Sequence, residues 1–204
     1  MALYSTFFVC DPKAVPRGFP GWRLPLEKPV KREFVNPFTG TKCVVETREP
    51  EWPEDQPEET TFVAQVVARE GDYASYLESR LLPYVVSQPH WAAKGLTSVE
   101  LDPLCGLVGV AGDLQPAMYA PPSLGSMLYQ FPPGFPARMK SLDPSPLAKR
   151  WAQEMSRPEY THSVSGERVC DDWTIQEALE VLQPLAHLAG RSVPGQEMYL
   201  LIEA

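Results

Sequence analysis

Proline constrains this chain more than any other residue type. Twenty-three of its 204 residues are proline, about twice the roughly 5% of average usage. Each one removes a backbone donor and fixes φ, which disfavours helix interiors and central strands. Long, stiff connections are therefore expected. The densest run is 11–30, which holds Pro12, Pro16, Pro20, Pro25 and Pro29. It reads as an extended wrap, pinned to the core by Phe19 and Trp22. Proline and glycine together stay below the roughly 25–30% that marks disorder. With 44% hydrophobic residues, a single globular domain over 1–204 is expected, since a chain this size buries roughly 70% of its unfolded surface.

Between the prolines, two kinds of pattern recur. LYSTFFVC at 3–10 is β-branched and aromatic and stops at Asp11-Pro12, so it reads as a strand. Strands are also expected at 31–36 and 42–48, joined as a hairpin through Asn36-Pro37-Phe38-Thr39-Gly40. Further strands are expected at 60–68, 126–131 and 197–203. Asp72 is placed to cap a helix over 73–82 that Pro83 bends or ends. Asp143 and Pro144 open a helix whose Leu147, Trp151 and Met155 recur at four-residue intervals.

The strongest helix signal is TIQEALEVLQPLAHLAG. Thr174 and Glu177 form a capping box, and Gly190 stands where a left-handed C-terminal residue belongs. Ile175, Leu179, Leu182, Leu185 or Ala186, and Ala189 make its expected buried stripe, with a kink at Pro184. Residues 96–103 offer two competing starts. Thr97 with Glu100 makes a capping box, with Leu96 stapling onto Leu101, whereas Asp102-Pro103 makes a cap with proline at the first helical position. The second would start a helix at 103–109, and this is the favoured reading. Strands early and at the end, with helices mostly between, indicate α+β: a mainly antiparallel sheet with helices packed on one face.

The sequence carries no complete catalytic motif. His90, His162 and His187 form no HxH, HExxH or Cys-His spacing, so no metal site and no cofactor is expected. GxSxG is absent, and Cys105 sits between Leu104 and Leu107 in a setting that favours a buried, inert thiol. GLVGVAG at 106–112 departs from the dinucleotide fingerprint and lacks the P-loop lysine, so it reads as a turn. Asp171 and Asp172 are adjacent, and their charge suits the start of the following helix.

Charge and compartment narrow the partner class. The net charge of −8 repels phosphate backbones and attracts basic surfaces, so a basic protein partner is expected and a nucleic acid is not. No apolar run reaches the ~20 residues of a membrane span. MALYSTFFVCDPK lacks the features of a signal peptide, and Cys10, Cys43, Cys105 and Cys170 are widely spaced, as in a reduced, cytoplasmic protein.

The stretch EPEWPEDQPEE, 49–59, sets six acids and three prolines around Trp52. It reads as an acidic loop whose prolines keep it from extending the flanking strands. Glu49, Glu51, Trp52, Glu54, Asp55, Glu58 and Glu59 are its candidate partner-binding residues. Phe131 and Phe135 flank a stiff Pro-Pro-Gly turn and are a second candidate surface. The turn reads either as an apolar recognition loop or as tucked back onto the core, with the core preferred for at least one phenylalanine.

The expected function is a non-catalytic, acidic protein-binding module. Its class would be that of a bacterial immunity protein, which neutralises a toxin or enzyme domain. The rivals are a structural subunit of a larger assembly and a hydrolase-like enzyme assembled in three dimensions from His162, Asp171, Asp172 and Cys105.

Overall fold

In the computed structural model, residues 4–19, 22, 26–35, 42–51, 82–119, 127–157 and 173–203 are described. Their strands are β1 (Tyr4–Cys10), β2 (Leu26–Val35), β3 (Lys42–Glu51), β4 (His90–Lys94), β5 (Gln115–Tyr119), β6 (Met127–Gln130) and β7 (Glu197–Glu203). Their helices are α1 (Val15–Gly18), α2 (Leu82–Ser87), α3 (Ser98–Val108), α4 (Phe135–Met139), α5 (Pro144–Met155) and α6 (Ile175–Gly190). The class is α+β. A five-stranded sheet runs in the order β4-β1-β7-β6-β5, with every pair antiparallel, and β2 and β3 form a separate two-stranded ribbon.

The first and last strands lie side by side at the heart of the sheet, with Phe7 opposite Leu200 and Phe8 opposite Tyr199. Both strands are buried along nearly their whole length because both faces are covered, and β1 buries Ser5 and Thr6 among its apolar residues. Phe7, Val9, Met198, Leu200 and Ile202 meet α3 to α6 in the larger core. Phe8, Cys10, Tyr199 and Leu201 face a smaller core closed by Val15, Phe19, Trp22 and Val85. Most helical mass is thus on one face, as the sequence predicts. The other face is covered as well, by α1, α2, Phe19 and Trp22. The expected extended wrap over 11–30 is corrected, since residues 12–18 are helical and β2 already starts at Leu26 and takes in Pro29. Phe19 stacks over Phe8 with centroids 6.1 Å apart, and Trp22 meets Phe19 edge-on at 5.0 Å.

The helix starts follow local chemistry. Asp143 caps α5 by accepting from the Ser145 amide at 3.0 Å. The Thr174 hydroxyl accepts from the Glu177 amide at 3.2 Å, while Glu177 accepts from the Thr174 amide at 2.8 Å. These bonds satisfy amides that the first turn leaves orphaned.

The interior of the fold corrects several sequence expectations. α3 starts at Thr97, whose capping box with Glu100 is complete, and it runs straight through Pro103. Pro103 forgoes the bond that an amide there would have made to the Val99 carbonyl. Asp102 caps nothing: its Oδ1 accepts from the Leu114 amide at 2.9 Å. Leu96 and Leu101 are both buried in one cluster, as a staple requires.

At the end of α6, Gly190 is the last helical residue and the cap is Arg191 with φ −83°. The left-handed glycine is Gly195, φ +88°, in the turn that leads into β7. The buried stripe of α6 is Ala178, Leu182, Leu185, Leu188 and Ala189, while Ile175 is exposed. β3 continues through Glu49, Pro50 and Glu51, so the acidic run begins as strand and not as loop. β4 and β5 are edge strands that the sequence reading omits. The predicted strand 60–68, the helix 73–82 up to residue 81, and the hairpin turn 36–41 lie outside the described residues.

Candidate functional site

The predicted site residues separate into three groups. Glu49 and Glu51 stand at the end of the ribbon, in register with Lys28 and Leu26. Trp52, Glu54, Asp55, Glu58 and Glu59 lie outside the described residues, as do His162, Cys170, Asp171 and Asp172. At Phe131 and Phe135 the structure bears out the core placement expected for at least one ring and corrects the partner-binding role given to the pair. Both rings are fully buried, 4.4 Å apart, so the core takes them and neither is offered to a partner. The turn between them exists to return the chain onto α4, with Gly134 at φ +81°.

Cys105 lies within α3 and is fully buried. Burial, then the nearby charges of Asp102 and Asp113, pushes its thiol up to about 12. Cys10 is likewise pushed up to about 12, chiefly by burial. A thiol that stays protonated is a poor nucleophile. Among the described residues, no group of three or more His, Cys, Asp and Glu is placed to hold a metal ion. Among them too, no helix is long and apolar enough to cross a membrane.

The described surface does carry one acidic groove. On α3, Val99, Asp102, Pro103, Gly106 and Leu107 line one helical face, with Leu107 also packed against the core. With Val110, Gly112, Asp113 and Glu154 they line a groove of about 630 Å³. Its floor is apolar: Val99, Pro103, Leu107 and Val110. Asp102, Asp113 and Glu154 supply its charge, and no Lys, Arg or His is among the described lining residues.

The chain positions these acids by distinct means. Asp102 is half-buried and held by the Leu114 amide. Burial is the largest influence on its carboxyl and raises it above the ordinary value; the Leu114 bond opposes that rise, and the charge of Asp113 adds to it. Gly109 ends α3 with φ +82°, and Gly112 follows with φ +97°. These two glycines turn the chain back so that Asp113 faces the helix it has just left. Glu154, on α5, pairs with Arg157 at 2.7 Å.

The sequence holds part of this signal. The capping box at Thr97 and the two glycines bracket α3, and the residues between divide into a buried face and an open one. What is missing from the sequence is the placement of Asp113 and Glu154 against that open face. No protein-family model, curated protein or solved structure matches this chain.

Proposed function

We propose that this protein is a non-catalytic recognition module for a basic protein partner, of the immunity class that neutralises a toxin or enzyme domain in the bacterial cytoplasm. The observation that carries the reading is the α3 groove, where three carboxylates surround an apolar floor. Apolar floor supplies area to bury, and the acids select cationic partners and speed their approach. The net charge of −8 and the acids at 49–59 favour the same partner. Asp102 adds a specific advantage. Its carboxylate is under-solvated, so an incoming cation stabilises the charged form more than it would at an exposed aspartate.

The test is a tagged pull-down at low and moderate salt, with wild type beside a variant carrying Asp113→Asn and Glu154→Gln. The expected result is one basic protein, captured by wild type, weakened by salt and by the substitutions. A partner indifferent to both, or no partner at either salt, rejects the reading. Charge reversal at Glu54, Asp55, Glu58 and Glu59 then tells which acids the partner uses. Unchanged binding would exclude the 49–59 segment and leave the groove.

A further inference from the structure

We propose that the recess between β4 and α6 receives an arginine side chain of that partner; this rests on the protein-binding reading and names the chemistry of one contact. The recess has a volume of about 500 Å³ and is lined by Trp91 and Trp173, by Glu100, Glu177 and Glu180, and by Lys94 among others. Both indoles are only partly buried. Each is backed by a fully buried ring: Trp91 stacks on Phe7 at 5.1 Å, and Trp173 lies on Trp151 at 4.6 Å. Trp151 is fixed in turn by its Nε1, which donates to the Glu100 carbonyl at 2.9 Å. The two aromatic walls are therefore held in place before any ligand arrives, which lowers the ordering cost of binding.

The charges select the ligand. Three carboxylates face one ammonium, and the Lys94 Nζ sits 5.5 Å from the Tyr4 ring centroid. The glutamates are oriented by the fold. Glu100 accepts from the Thr97 amide at 2.7 Å, Glu177 from the Thr174 amide at 2.8 Å, and Glu180 from Gln176 at 3.1 Å. In each case the bonds engage one carboxylate oxygen.

An anion is disfavoured here although two helices begin at the recess. The Thr97 and Thr174 amides are taken by glutamates, and the Val99 and Glu177 amides by threonine hydroxyls. The lining then offers aromatic surface beside carboxylate oxygens, with Lys94 as the one cation among the described lining residues. A planar guanidinium matches that pair, stacking on an indole while its edge donates to carboxylates. The preference for Trp and Arg at the energetic centres of interfaces points the same way.

The experiment follows the indole Nε1–H signals of the full chain by NMR during titration with N-acetyl-arginine amide. N-acetyl-citrulline amide is the neutral control of equal shape. Trp91→Phe and Trp173→Phe assign the two signals. The expected result is saturable movement of both, with citrulline at least about fivefold weaker. Glu180→Gln, at an exposed helical position, should weaken arginine about twofold and leave citrulline unchanged.

Equal effects of the two ligands, no movement, or movement confined to the other tryptophans overturns the proposal. No partner is needed for this titration. A silent recess with a salt-sensitive captured protein would reject the arginine receptor alone. A responsive recess with no captured protein would reject the wider functional reading and leave the binding site standing.

Discussion

Trp151 joins the core to the recess. It is fully buried, packs with Leu147, Ala148 and the α6 stripe, and bonds the Glu100 carbonyl. Trp151→Ala should cost about 3–5 kcal/mol, the range for removing a large buried ring. Trp151→Phe keeps much of the volume and removes only the indole bond to the Glu100 carbonyl, which still accepts the Leu104 amide within α3, so its cost should be smaller, about 0.5–1.5 kcal/mol. Urea unfolding midpoints of the two variants would check both values.

Asp102 makes a different prediction. Its folded carboxyl titrates above its ordinary value, so the folded state binds the proton more tightly than the unfolded chain does. Stability contributed by the protonated form is present below the unfolded value and is lost as pH rises through the folded one. Asp102→Asn keeps an oxygen for the Leu114 amide and removes that titration. The variant should gain on wild type in thermal midpoint as pH climbs from the unfolded aspartate value, about 3.9, through the raised folded one. A constant difference across that range would refute the assignment. The two buried thiols give a third check. At neutral pH, Cys10 and Cys105 should resist alkylation in the folded protein and react on unfolding, read site by site by mass spectrometry.

Among the elements, α3 lines the acidic groove, and its start rests on the reciprocal bonds of Thr97 and Glu100. The Thr97 hydroxyl accepts from the Val99 amide at 3.1 Å. Thr97→Ala should cost about 1 kcal/mol, whereas a cap substitution at Asp102 should not shorten the helix. Amide hydrogen exchange across 98–108 distinguishes the two.

This element also marks where sequence reasoning stops. The α5 and α6 starts are legible because Asp143-Pro144 and Thr174/Glu177 act within one turn. Asp102-Pro103 looks the same locally, but Asp102 bonds an amide twelve positions on, at Leu114, which no local pattern encodes. β4 escapes notice because HWAAK offers Trp91 as its one large apolar side chain. β5 contains Pro116, but it is an edge strand with a register shift beside that proline, where a missing donor is tolerated. At Phe131 and Phe135 proline and glycine signal the turn, and the sequence leaves open whether both rings fold inward; the packing of α4 shows that they do.

For the whole molecule, the sheet and its two cores form the frame, and the acids decorate it. The groove on α3 and the recess at β4 both depend on α5 and α6 packing over the sheet, since Glu154 belongs to α5 and Glu177 and Glu180 to α6. Neither could be read from a linear pattern, because each gathers residues from distant segments. Net charge favours a cationic partner, and the position of the acids makes that proposal testable.

The most direct measurement is the affinity of the captured partner as a function of salt, for wild type and for the Asp113→Asn, Glu154→Gln variant. The account predicts that wild-type binding weakens steadily with salt, that the variant binds more weakly at low salt, and that the two curves converge as screening takes over. An affinity that salt leaves unchanged, or two curves that coincide throughout, would contradict recognition through the acidic groove.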